Sequence, residues 1–258
     1  IQDWFLALRE HFPDWKVYIS DKMTDSEYVG TASIGNSLQN LDCTIVPELH
    51  FGVSLRSFRS DKLSAFIKAL LDNHPQQAAD LCQELQSSYP IVLTRNFDTA
   101  KLWVKSHARG TERYGLLASS EGKRLRGAGI WVPTQIDHVN WFLKGKDHVD
   151  SSYYLEVAAS EFKVQGLEVD YAIVAWDADF RYINGDFDYF RFRGTRWNHT
   201  NIEQRQQYQK NAYRVLLTRA RQGLVIYIPE GSQEDQSRIP ALYDGTYRYL
   251  LSCGIPEI

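Results

Sequence analysis

Three arginines within eight residues, Arg214, Arg219 and Arg221, lead into the apolar run LVIYI in the stretch NAYRVLLTRARQGLVIYIPEG. Arginine is among the residues least often fully buried. Cations set against a buried strand therefore either form a solvated helix face or end where an anion sits. The planar guanidinium fork meets two phosphate oxygens at once and stays charged when partly dehydrated, so phosphate is the anion it suits best. On helical spacing Arg214, Thr218 and Arg221 share one face, while Tyr208, Ala212, Val215 and Leu216 share the face that packs on a sheet. Two further segments carry groups of matching chemistry. SLRSFRSDKLSAF sets Arg56 and Arg59 before a helical run, and SEFKVQGLEVDYAIV sets Gly166 and Glu168 before a buried strand.

Other candidates follow apolar runs. TRN (Thr94, Arg95, Asn96) and ASSEGKR (Ser119, Ser120, Lys123, Arg124) offer the hydroxyls, amides and cations that contact phosphates. The aromatic and basic stretch 179–200, with Tyr189, Phe190, Arg191, Phe192, Arg193 and Trp197, reads as a hairpin or loop insertion; its rings could stack unpaired bases while its cations meet the backbone. A rival chemistry lies in Glu161-Phe162-Lys163, with Asp150 upstream and Asp177 and Asp179 downstream. This is a loose form of the carboxylate-plus-lysine set of metal-dependent nucleases. The histidines show no ligand spacing, and no metal site is expected.

Positioning these groups requires an alternation of helices and strands. The strands read as WKVYIS, YPIVLTR, YGLLASS, DYAIVAW and LVIYIP. The helices read as IQDWFLALREHF, SDKLSAFIKALL with Ser60 as N-cap, PQQAADLCQELQ with Pro75 in its first turn, DTAKLWVKSHA, a short EGKRLRGAG ended by glycine, and IEQRQQYQKNAYRVLLTRA. The strands are continuous apolar runs without in/out alternation, which predicts an α/β fold whose parallel sheet is covered by helices on both faces. Ligands of such sheets bind at the carboxyl ends of the strands.

The 258 residues are 43% hydrophobic and 24% charged, with net charge −3, an ordinary globular composition. Between Arg181 and Arg221, however, nine Lys/Arg stand against three acids, a local +6 on a slightly acidic chain. No apolar run suffices to cross a membrane, no signal-peptide pattern opens the chain, and Cys43, Cys82 and Cys253 form no C-x-x-C. A reduced, cytoplasmic protein is the expectation. Ile1 opens a helical pattern without a Met, so a piece of something longer is expected as well.

SEFKVQGLEVDYAIV resembles motif V of superfamily 1 helicases, and NAYRVLLTRARQGLVIYIP, with its Leu-Thr-Arg-Ala-Arg core, resembles their motif VI. SLRSFRSDKLSAF is similar to motif IV. GLLASSEGKRLRGAGI and TYRYLLSCGI extend the likeness to the schlafen-like DNA/RNA helicase domain family of bacteria. No G-x-x-x-x-G-K-[ST] and no Asp-Glu dipeptide occurs, so residues 1–258 resemble only the second RecA-like lobe of the motor. The resemblance implies roles for individual residues. Arg219 would be the arginine finger, supported by Arg221 or Arg214, with Arg59 or Arg56 as a second phosphate-facing arginine. Gly166 and Glu168 would meet the nucleotide, and Gln165 would couple that cleft to the nucleic-acid track, which Ser160 would contact. ATP with Mg2+ and DNA or RNA would be the ligands. The P-loop lobe would come from the same protein or a partner, leaving the chain inactive alone. A non-catalytic nucleic-acid-binding or scaffold module is the other alternative.

Overall fold

The computed structural model describes residues 2–21, 41–49 and 58–258, and for 2, 3 and 58–60 the backbone alone. The chain forms two compact units, Ile1–Arg56 and Ser57–Ile258. In the first, α1 (Gln2–His11) is followed by two short parallel strands, β1 (Lys16–Ile19) and β2 (Asp42–Ile45). Phe5 and Ile19 form its small core with Leu8, Val17, Leu41 and Cys43. Trp4, next to Phe5 in α1, is 75% exposed.

The second unit contains α2 (Phe58–Leu71), α3 (Pro75–Leu85), β3 (Ile91–Thr94), α4 (Phe97–His107), β4 (Tyr114–Ala118), α5 (His138–Leu143), β5 (Val169–Ala175), β6 (Phe180–Ile183), β7 (Asp186–Arg193), β8 (Arg196–His199), α6 (Glu203–Leu217), β9 (Ala220–Tyr227) and α7 (Ala241–Ser252). Helix α2 begins two residues ahead of the expected cap, so Ser60 lies inside its first turn. Pro75 opens α3, where its missing N–H costs no helical bond. EGKRLRGAG forms a 3₁₀ helix over Lys123–Ala128, closed by Gly129 at φ 80°, a left-handed cap that glycine adopts without strain.

Strands β3, β9, β5 and β4 lie in that order in one fully parallel sheet. Beyond a register shift between Val169 and Tyr171, its side chains divide by alternation. Ile91, Leu93, Leu117, Ala172, Val174, Leu224 and Ile226 enter one core with α2, α3, α6 and α7. Val92, Leu116, Ala118, Ile173, Ala175, Val225 and Tyr227 enter another with Ala100 and Val104 of α4 and with Leu125 and Ile130. Burial on both faces explains the unbroken apolar runs. Short segments pair with both outer strands: Ala159 with β4, through Ala118 N–H and Leu116 O, and residues 256–258 with β3, through Leu93 N–H and O.

The stretch 179–200 forms a three-stranded antiparallel sheet, β6-β7-β8. Phe180 and Phe187 anchor it in the first core beside Trp176 and Tyr213. Helix α7 fastens its other side: Thr246 Oγ1 accepts the Tyr182 N–H at 2.9 Å, and Tyr249 stacks on Tyr182. Gly245 permits that approach, because a Cβ there would be driven into the Tyr182 carbonyl oxygen. Gly245→Ala should therefore destabilise the protein by about 1–3 kcal/mol through overpacking, despite alanine's roughly 1 kcal/mol advantage inside a helix. A thermal melt checks it: the midpoint should drop by about 2–4 °C per kcal/mol, and an unchanged or raised midpoint would mean that α7 does not lie this close to β6.

Candidate functional site

The candidate residues gather at the two ends of the parallel sheet. At the amino end, α6 stops at Leu217 and Arg219 occupies the junction before β9. Arg219 is 9% exposed. Its Nε donates to Val215 O at 3.1 Å and its Nη1 to Val164 O at 3.5 Å, while its own carbonyl accepts the Val169 N–H at 3.1 Å. The arginine thus touches both the start of β5 and the segment 160–168 that precedes it. Within that segment Gly166 has φ 85° and is exposed, as is Gln165. Glu168, partly buried, lies near Tyr89; burial first, and then the Glu168 charge, push that phenol's pKa up.

Arg221 was expected to share a helix face with Arg214; instead it stands in β9. Its Nη2 donates to Asp170 Oδ1 at 2.6 Å, with its own side chain 59% exposed. Asp170 also receives the Arg113 N–H and Gln222 Nε2. Burial opposes its ionisation, but these donors and the Arg221 charge prevail and hold its pKa below the usual carboxylate range. Arg214 reaches Asn211 Oδ1 at 2.7 Å. The buried face of α6 is Gln209, Ala212, Tyr213, Leu216 and Leu217, with Tyr208 58% exposed and Val215 partly so. Of the expected apolar stripe, Ala212 and Leu216 are buried and Val215 packs against the core, while Tyr208 faces outward and Gln209 and Tyr213 face inward in addition. Arg56 and the Arg59 side chain lie outside the described residues.

At the carboxyl end, several candidates are engaged within the fold. Thr94 Oγ1 donates to Ile258 O at 2.9 Å. Arg95 donates to Asp244 Oδ1 at 2.6 Å and Pro229 O at 2.9 Å, against the Tyr247 ring. Ser160 is buried, and its carbonyl accepts the amides of Lys163 and Val164. Ser120 donates through its amide and hydroxyl to Glu161. Arg124 joins Asp235 Oδ2 at 2.6 Å and lies over Phe192, while Arg191 sits 3.6 Å from Glu121. Lys123 and Arg193 are exposed. Trp197 Nε1 donates to Ser237 O at 2.8 Å, and its ring lies under Arg181, so this tryptophan is packed inside the fold.

Sequence reasoning missed how these loops are held together. Asp179, fully buried, accepts Ser119 Oγ at 2.7 Å, Tyr213 Oη at 2.5 Å and Gln209 Nε2 at 3.2 Å. Asp177, equally buried, accepts the amides of Ala178 and Arg124 and the Tyr243 hydroxyl. Burial, followed by the Asp177 charge, pushes the Asp179 pKa up to about 7. Arg181 is 4% exposed and stacks 3.5 Å over Phe190, with Nε and Nη1 lacking a hydrogen-bond partner. Burial lowers its pKa to about 10 against the pull of Asp188 and neighbouring groups. The only sequence signal was WDADF, read as possible metal ligands. Instead protein donors fill these carboxylates, and among the described residues no cluster of three His, Cys, Asp or Glu could hold a metal ion.

A mixed α/β architecture with a four-stranded parallel sheet flanked by helices, compatible with a RecA-like lobe, is the class these features define. Residues 8–230 match the model of the Schlafen group 3, DNA/RNA helicase domain. The chain belongs to that family, which gives it a helicase-like, nucleic-acid-related function. No curated protein matches it. Among the described residues no helix is long and apolar enough to cross a membrane.

The Asp179 environment sets a pH dependence. Its folded pKa, about 7, lies above the roughly 3.9 of an unfolded aspartate. The stability it contributes is complete below the unfolded value and is lost as pH rises through about 7. Asp177 shifts in the same direction through burial. Asp179→Asn, neutral throughout, should flatten the decline in melting temperature between about pH 5 and about pH 8 relative to wild type. Parallel declines would mean that Asp179 is already ionised in the folded protein.

Proposed function

We propose that this chain is the second RecA-like half of a bacterial, cytoplasmic superfamily 1 helicase, a nucleic-acid-dependent ATPase, with Arg219 as its arginine finger. The observation that carries the reading is the meeting of Arg219 with the segment 160–168 at the amino ends of β5 and β9. Two segments far apart in sequence, each with a helicase-like motif, converge there through direct contacts. The guanidinium donates to Val215 O and Val164 O, which help to fix its position at this junction. Phosphoryl transfer depends mainly on positioning and charge neutralisation, and an arginine at the γ-phosphate contributes roughly 10³–10⁵ in rate.

Bound ATP with Mg2+ would supply the phosphoryl group. Glu168 would accept a hydrogen bond from the ribose, Gly166 would admit the backbone close to the nucleotide, and Arg59 or Arg56 would be the second cation. Gln165 would relay between this cleft and the nucleic acid. The chain has neither a phosphate-binding glycine loop nor an Asp-Glu pair, so these residues fit one half of a cleft. The other half would be a P-loop lobe in the same protein or a partner. Nucleic acid would cross the carboxyl end at Ser120, Arg191 and Arg193, with the buried Ser119 and Ser160 shaping the loops beneath it. The scaffold reading draws on a single observation, the burial of Arg219 against two carbonyls.

The test is ATP turnover, stimulated by single-stranded nucleic acid, of a polypeptide joining this chain to a P-loop lobe. Arg219→Ala should lower kcat by about 10³-fold or more and leave oligonucleotide affinity unchanged, while the 258-residue chain alone turns over no ATP. If Arg219→Ala lowers the melting temperature and leaves turnover intact, Arg219 is a structural residue and the scaffold reading stands.

A further inference from the structure

The loop after β4 is tied partly by its own groups. The Gly122 N–H donates to Ser119 O, the Lys123 N–H to Glu121 O, and the Glu121 N–H to Ser119 Oγ. Two amides instead meet carboxylates from other segments: Arg124 meets Asp177, and Ser120 meets Glu161. The two carboxylates differ. Asp177 is 1% exposed and fixed by three donors from different parts of the chain. Glu161 is only half-buried and is held as a fork: Oε2 takes the Ser120 N–H at 2.9 Å, and Oε1 takes the Ser120 Oγ at 2.6 Å. Among the described residues no lysine or arginine pairs with it.

A backbone amide and an adjacent hydroxyl closing on two oxygens of one anionic centre is the arrangement that also holds a phosphate. The surroundings favour a polyanion. Lys123, three residues on, is exposed, and Arg191 is tethered to Glu121, next to Ser120, with the exposed Arg193 two residues further along β7. We propose that the Ser120 N–H and Oγ form a subsite for one backbone phosphate of single-stranded nucleic acid, and that the Glu161 carboxylate is its internal stand-in, seated until a strand displaces it. The proposal rests on the nucleic-acid reading above and adds an autoinhibitory contact to it. Glu161 thereby receives a role different from metal ligation, and the affinity of the site is set by a competition inside the chain.

The experiment is fluorescence anisotropy of a labelled single-stranded oligonucleotide with the wild-type chain, Glu161→Ala, Ser120→Ala and the double variant. Removing the stand-in should tighten binding about 5- to 10-fold, the net worth of one ordinary hydrogen bond. The double variant should lose most of that gain, and Ser120→Ala alone should change little, because a single substitution weakens both competitors. Glu161→Gln, which preserves shape and loses the charge, should give a smaller gain in the same direction and guards against a folding defect in the alanine variant. A gain that survives Ser120→Ala would be a general charge effect and overturns the subsite, as does an absence of gain in both Glu161 variants. If the wild-type chain and every variant fail to bind DNA and RNA oligonucleotides alike, the nucleic-acid reading itself falls. Binding by wild type with no response to Glu161 removes only the subsite.

Discussion

Burial of the parallel sheet on both faces is the constraint from which the rest of the molecule follows. Alternate side chains of β3, β4, β5 and β9 enter two different cores, so neither face can offer a polar group to a ligand without costing one of them. Functional chemistry is confined to the two ends of the strands. Each end then needs its own polar architecture, because backbone groups leaving a sheet must be satisfied. At the amino end carbonyls and Asp170 meet the arginines. At the carboxyl end buried aspartates gather amides, hydroxyls and a glutamine.

Segment 160–168 connects these two ends. Glu161 touches the loop after β4, and Val164 O touches Arg219. Between them Val164 is buried in the first core, which seats the segment on the sheet. A shift at either contact must be absorbed within a few residues, and Gly166, already at positive φ, is the residue among them with most backbone freedom. The order of polar contacts along this segment thus mirrors the order in which the two ends of the sheet are reached.

Much of the scaffold was legible in the sequence because it rests on local rules. Continuous apolar runs foretold a doubly covered sheet, Pro75 and Gly129 marked helix ends, and the arginine-rich helix–strand junction was found where expected. What escaped was set by tertiary pairing. β9 begins at Ala220 because Ala220 pairs with Val169 of β5, and that pairing takes Arg221 off the helix and into a strand. Gln209 and Tyr213 of α6 face inward because both reach the buried Asp179, a contact between segments that periodicity cannot register. WDADF looked like a ligand set because carboxylates in sequence carry no sign of who will hydrogen-bond them. The aromatics of 179–200 looked like a base-stacking platform, whereas Phe190, Phe192 and Trp197 lie under the chain's own guanidinium groups.

The pairing of residues 256–258 with Leu93 has a consequence for the behaviour of the protein in a crowded solution. Without it β3 would present open backbone donors and acceptors along a flat apolar strand, a template onto which another chain could add. Here Pro256 O accepts the Leu93 N–H, the Ile258 N–H donates to the Leu93 carbonyl, and Thr94 Oγ1 donates to Ile258 O. A few residues thereby act as a selvedge, finishing the sheet so that it does not unravel into polymer.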